Sequence, residues 1–406
     1  MSILKFLKKL NTLKKSLFSI FYFLVIINSF AQEMVLSDQA EISIITVDPG
    51  YDQLYDTFGH SAIRVTDRKL RIDQAYNYGI FNFETPNFNL KFAQGKLLYE
   101  LAAYPFSYFY RSYKEENRGI REQVLNLTQP EKQAFFNFLQ NNAKPENKSY
   151  LYDFFYDNCA TRLKDVAENV LQEKVVFNNN YTEGKNETLR SLIHQYAQKK
   201  HPWGTFGIDL ALGSVIDKKA TTKDYLFLPD NIFNTYAEST VNGKPIVKKT
   251  NVLFKAKDKK TKGFQLFTPL IVFSLIALLV IFITYRDYKQ RKRSKVLDFT
   301  LFFTTGLIGL VVLLLWFATD HSATKDNYNF LWAFMPNVFV AFVLLKKEVP
   351  NWVKKYILLL LVLLALTVVL WILKIQIFSL AIIPLLLMLA VRYWFLYKDH
   401  NSTTHP

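Results

Sequence analysis

The chain has 406 residues, half of them hydrophobic and 16% aromatic, with a formal net charge of +16 and one cysteine. A single cysteine excludes an internal disulfide framework. The positive excess falls largely in the N-terminal segment and beside hydrophobic runs, so membrane topology accounts for it better than a nucleic-acid partner does.

Residues 1–31 read as a secretory signal. Lys5, Lys8, Lys9, Lys14 and Lys15 form a basic region, Leu17 to Ile27 an apolar one, and Ser29-Phe30-Ala31 a small-x-small cleavage site. An uncleaved signal anchor is the alternative, and either one exports the segment C-terminal to it. Residues 32–247 then form one domain with room for a sizeable core, and its pattern is α+β. The stretches EISIITVDPG, HSAIRVTD, AYNYGIFNF and LLYELAAYPF read as strands, with Ile63 and Val65 on one face and Ala62 and Arg64 on the other. A helix starts at LTQPEKQAFFNFLQ, where Thr128 and Glu131 have capping-box spacing and Pro130 suits an early helical position.

The next helix carries the cysteine. In YDNCATRLKDV, Asp157 or Asn158 is the expected N-cap, Cys159 falls in the first turn, and Leu163, Val166, Ala167 and Val170 make an apolar stripe. A thiol at a helix N-terminus has a depressed pKa, and the unpaired N–H groups there suit an oxyanion. Of the histidines in the exported domain, His60 is the favoured general base. His194 lies in a helical pattern, and His201 beside Pro202 and Trp203 reads as structural. An inert core cysteine and a structural histidine are the bland alternatives.

Residues 248–262 hold seven lysines and read as a basic linker, either solvated or lying against anionic headgroups. Five membrane spans are expected within 263–398: Phe264–Tyr285, Phe299–Ala318, Tyr328–Leu345, Tyr356–Leu373 and Ile377–Phe395. The third is the weakest, interrupted by Pro336 and Asn337. RDYKQRKRSK and KKEVPNWVKK hold six and four basic residues, which places them inside and the exported domain outside, with a cytoplasmic tail at 399–406. His321, Asn329 and Trp332 in the outer loop are candidate headgroup or acceptor contacts; aromatic-belt placement is the alternative for the tryptophan. Asp320 with His321 lacks a third ligand for a metal site, and neither half implies a cofactor.

DTFGHSAIRV, YNYGIFNF, DNCATRLKD and HPWGTFGIDLALG resemble the Lnb N-terminal periplasmic domain family over most of residues 35–235. The order of strand histidine before helix cysteine is similar to permuted papain-like acyltransferases. The membrane half, with TDHSATKDNYNFLWAFMPN, also resembles the full-length family. The resemblance implies a permuted papain-like exported domain followed by an all-α five-helix transmembrane domain. It also implies a lipoprotein N-acyltransferase in the bacterial inner membrane, whose partners are membrane phospholipids and lipidated lipoproteins. Permuted papain-like folds place a histidine-orienting residue on the strand after the histidine strand, where Asp73 and Asn77 fall. Asn77 is preferred, because an amide bonds the imidazole without adding charge; ordinary sheet structure is its alternative. Arg64, Arg162 and Asp157 are candidates for substrate contact or bracing, with Asp209 family-like but without a derived role. An exported cysteine peptidase or amidase and a non-catalytic receptor are the competing functions.

Overall fold

The structure is a computed structural model that describes Lys14, residues 34–257 and residues 265–402. The signal read over 1–31 therefore lies outside the described residues except for Lys14, and so do 258–264 of the basic stretch. In chain order the exported half begins β1 (Glu41–Val47), β2 (His60–Asp67), β3 (Ile72–Phe81), α1 (Phe88–Ala93), β4 (Leu98–Pro105), α2 (Phe106–Glu115) and β5 (Ile120–Leu125). It continues α3 (Gln129–Asn142), β6 (Ser149–Leu151), α4 (Thr161–Leu171), β7 (Val175–Val176), α5 (Leu189–Ala197) and α6 (Pro202–Ala211). Last come α7 (Pro229–Glu238), β8 (Thr240–Val241), β9 (Lys244–Pro245) and β10 (Val247–Phe254).

Seven strands form an antiparallel sheet in the order β10-β5-β1-β2-β3-β4-β6, and β7, β8 and β9 form a second, small one. The alternation read from the sequence sorts its faces. Ile42, Ile44, Ile63, Val65, Tyr76 and Tyr78 pack with the apolar stripes of α3, α4 and α7. Ile45, Val47, Ala62 and Ala75 pack on the other side with Phe106 and Phe109 of α2. Each fully buried large apolar side chain contributes about 1.5–3 kcal/mol by leaving water. The Thr128–Glu131 capping box starts α3 as its spacing predicts. Leu163, Val166 and Ala167 are buried, with Val170 packed beside them.

The basic stretch read as a linker from 248 is instead strand up to Phe254, paired to β5. Its lysines obscured this. An edge strand tolerates Lys248 and Lys249 on its solvent side, where their charge blocks pairing with other chains.

The C-terminal half is all helical: α8 (Pro269–Gln290), α9 (Lys295–Phe317), α10 (Asn337–Leu344), α11 (Trp352–Ile372) and α12 (Ile382–Ser402). By length and composition α8, α9 and α11 are each able to cross a membrane. The expected third span is a single 3-10 turn at Tyr328–Phe330, a loop, and the eight-residue α10. Pro336 and Asn337 break it, and the irregular backbone is tolerated because it is buried in protein. A Cβ on Gly309 would stand 1.8 Å from the Ala333 carbonyl oxygen, so only glycine admits this loop against α9. Leu278, Phe282, Val311, Leu314 and Val362 remain exposed as a lipid-facing surface.

The two halves are joined rather than merely tethered. Phe206 and Leu210 of α6 pack against the membrane-domain core. The Asn327 amide donates to the carbonyls of Leu210 and Ala211 at 2.8 and 3.0 Å, and the Asn329 amide donates to that of Asp209 at 3.0 Å. These are carbonyls that the end of α6 leaves without a helical partner. Beneath them Arg190, 1% exposed, is held by Asp209 and Asp217, and the Asp217 carboxylate accepts the Ile377 N–H.

Candidate active site

His60 is the first residue of β2. Gly59 before it has φ +86°, and a Cβ there would lie 2.8 Å from the Val47 carbonyl, so the tight entry to this strand requires glycine. One strand over, Asn77 faces the same way as Ala75, toward the α2 side of the sheet. Its side-chain oxygen meets His60 Nε2 at 2.5 Å, while its amide donates to the Tyr104 hydroxyl at 2.8 Å. Tyr104 thus fixes which way the amide points, and the oxygen then requires a proton on Nε2. Nδ1 is left for the thiol. Rings of Tyr113 and Phe109 pack the imidazole at centroid distances of 5.9 and 6.2 Å.

Past Asn77 the pairing of β3 with β4 slips, and Gly79 takes φ +90°. A Cβ there would lie 3.7 Å from the Cys159 Cβ. The cysteine therefore sits over the irregular end of β3, half-buried, in the turn that opens α4. Of the two predicted caps, Asn158 performs the role: its oxygen accepts from the N–H groups of Ala160 and Thr161 at 2.8 and 3.0 Å. Its amide is anchored on the carbonyls of Phe154 and Phe227. Asp157 instead pairs with Arg162.

That capping changes one expectation. The helix-terminal N–H groups of Ala160, Thr161 and Arg162 are already bonded, so they are not donors in waiting for an oxyanion. The N–H groups that bear on the sulfur are those of Cys159 itself and Ser61. Burial opposes ionisation of the thiol, yet its pKa is held below the ordinary value. The positive charge and hydrogen bond of His60 prevail, aided by those two N–H groups. Burial likewise opposes the charged imidazole, but Cys159 and Asn77 raise its pKa despite the nearby Arg118. Both shifts favour a thiolate–imidazolium pair.

The remaining predicted residues lie elsewhere. Arg64 is braced by Asp73 and Glu122 and lies 3.9 Å over the Phe106 ring. Arg162 combines its Asp157 pair with a 4.1 Å stack on Tyr150. Both are occupied internally. His321 Nε2 donates to the Phe92 carbonyl at 3.2 Å. Asn329 and Trp332 are each 2% exposed and bond one another at 2.9 Å within the joint between the halves, with no surface offered to a headgroup. His194 and Asp209, at 2.8 Å, belong to the same joint. Among the described residues no group of three or more metal-ligating side chains is placed to hold a metal. Sequence reasoning missed Tyr104; the signal was there in the alternation of LAAYPF, which puts it on the sheet face of Asn77.

A histidine held by an asparagine near a half-buried cysteine, in a sheet domain joined to a bundle of long apolar helices, describes a two-domain membrane protein. Residues 28–195 match the Lnb N-terminal periplasmic domain and residues 259–402 match the Lnb transmembrane domain. The chain belongs to the Lnb family, with both of its domains in order. It is a multi-pass protein of the inner membrane. Family membership supports a lipoprotein N-acyltransferase activity. No curated protein and no solved structure matches the chain.

Proposed function

We propose that the chain transfers a fatty acyl group through a thioester on Cys159 to the α-amine of a lipoprotein's N-terminal cysteine. The observation that carries the reading is the Cys159–His60–Asn77–Tyr104 series, with the thiol lowered and the imidazole raised. His60 Nδ1 takes the thiol proton, and the thiolate attacks the ester carbonyl of a membrane lipid. The oxyanion that forms lies nearest the N–H groups of Cys159 and Ser61, which already lean on the sulfur. When the tetrahedral adduct collapses, the lipid alkoxide leaves with the proton from His60. The acceptor amine then attacks the thioester, His60 removes its proton, and that proton returns to the departing sulfur. Asn77 holds the ring through both steps without adding a charge that would trap the imidazolium.

Mass spectrometry of a lipoprotein N-terminal peptide tests this in cells carrying the wild type, Cys159→Ser or His60→Ala. The wild type yields the N-acylated peptide, and each variant yields the free amine while still present in the membrane. N-acylation by Cys159→Ser at near wild-type level overturns the thioester.

A further inference from the structure

The segment between β3 and β4 is apolar where a soluble protein has no reason to be. Phe83 is 73% exposed, Leu90 58% and Phe92 55%, and α1 has no buried residue at all. This surface is not far out in solvent. The Gln94 carbonyl accepts the Asp320 N–H at 2.8 Å, the Phe92 carbonyl accepts from His321 at 3.2 Å, and Lys96 lies 4.0 Å from the Asp320 carboxylate. Asp320 and His321 follow directly on α9, whose last residue, Phe317, is 73% exposed on the lipid-facing surface. The segment is therefore fastened at the level where the membrane helix ends. Charge agrees: Lys91 stands among the apolar residues and Lys96 just after them, as headgroup-level cations accompany an interfacial segment.

The apolar residues also lead somewhere. Phe92 stacks toward Phe88 at 6.4 Å, Phe88 meets Phe83 at 5.0 Å, and Phe83 meets Phe81 at 4.8 Å. Phe81 meets Tyr99 at 5.4 Å, and Tyr99 stacks on Tyr152 at 4.2 Å. The Tyr152 ring and the Cys159 Cβ lie 3.8 and 3.7 Å from the position a Cβ on Gly79 would take. With no side chain, Gly79 adds no bulk between the end of this series and Cys159.

We propose that residues 81–98 form a lip seated in the outer leaflet, and that its aromatic series is the track along which a lipid acyl chain reaches Cys159. The inference rests on the thioester reading for its destination, and on the segment's attachment to α9 for its depth. A flat aromatic wall suits an acyl chain because its ring faces offer large apolar area. The lip takes the lipid surface itself as its partner.

Two measurements on the full chain, in vesicles of phosphatidylethanolamine and phosphatidylglycerol, decide it. A spin label on Phe83→Cys in a Cys159→Ser background reports depth by its relative exposure to oxygen and to a water-soluble nickel chelate. Greater exposure to oxygen is expected, and a label open to the chelate overturns the lip. Next, Phe83→Asp with Phe92→Asp is expected to lower acyl transfer by about tenfold or more, since charge opposes interfacial burial. Alkylation of Cys159 by iodoacetamide stays at its wild-type rate, which shows an intact site. Phe83→Leu with Phe92→Leu keeps transfer. A label in lipid with transfer unaffected by the two aspartates overturns the track. Transfer that survives in Cys159→Ser overturns the track's destination and the thioester together, while the label still judges the lip alone.

Discussion

Two polar clusters in this molecule are built from similar parts and do opposite things. Around Arg190, the guanidinium is shared by two carboxylates and the carbonyls of Leu212 and Gly213. His194 closes the remaining side on Asp209. Around Cys159 the partners are arranged in series instead: Tyr104 holds Asn77, Asn77 holds His60, and the charge of His60 acts on a half-buried thiol. The first arrangement saturates charge and so fixes two domains together. The second ends on a half-buried thiol rather than on a closed ion pair, which is the arrangement the proposed chemistry needs. Buried polarity is structural or chemical according to whether the chain of partners closes.

The largest effect that tests this contrast is at the open end. Cys159→Ser lowers acyl transfer by about 10³-fold or more, since a hydroxyl lacks the thiol's accessible anion. Its melting temperature stays near that of the wild type. A large loss of stability instead makes the cysteine structural and erases the distinction.

At the closed cluster, Arg190→Met leaves Asp209 and Asp217 buried without their cation. It destabilises the protein by about 3–5 kcal/mol, the ordinary cost of breaking a buried pair from one side. Thermal unfolding in detergent measures it. Adding Asp209→Asn and Asp217→Asn to Arg190→Met restores part of the loss, because the stranded charges go with the cation. A silent Arg190→Met breaks the comparison.

Within the open series, Asn77→Ala frees the imidazole to rotate and lowers transfer by about 10²-fold, the usual scale for a misplaced catalytic group. The pH profile of thiol alkylation separates positioning from folding. In the wild type the lowered Cys159 pKa keeps the thiolate reactive below the ordinary thiol range, with reactivity lost as pH falls through that lowered value. His60→Ala removes the charge and bond that offset burial, so the inflexion moves up and alkylation at neutral pH slows. Asn77→Ala removes one support of the imidazolium, so His60 loses its proton at a lower pH than before. An unchanged alkylation profile in His60→Ala severs the pair.

The smallest effect is at the sheet edge. Lys248→Ala with Lys249→Ala changes stability by less than about 0.5 kcal/mol, as exposed charges do, while self-association on concentration increases. Light scattering and thermal unfolding check the two halves of that expectation.

The first four strands of the sheet were legible because their apolar residues alternate. β5 was not: IREQVL places Glu122 and Gln123 in a central strand, and both are buried because Arg64, Asn251 and the Phe233 carbonyl meet them. Polarity satisfied across the sheet is invisible along the chain. β10 was hidden by its lysines for the complementary reason. His60 and Cys159 stood out by residue type and local setting, whereas Asn77 came from the resemblance and Tyr104 from neither. Asn329 and Trp332 carry the polar-aromatic signature of a membrane interface, but their amide and ring serve the end of α6. A loop's composition says that its groups need partners, and only the fold says which.

The position of β10 has a bearing on how the protein is made. The strand that finishes the catalytic sheet is the last exported element before α8, the first membrane helix, begins at Pro269. Its partner β5 emerges from the export channel well over a hundred residues earlier and waits with one edge unpaired. The Arg190 cluster also needs Ile377, which is synthesised later still. Chain order thus orders assembly: the sheet lacks its last strand until the residues just before the first membrane helix are made, and the Arg190 cluster lacks its Ile377 contact until the fourth helix has been made. A chain stalled or truncated before that point carries the cysteine, but only part of the joint between the two halves.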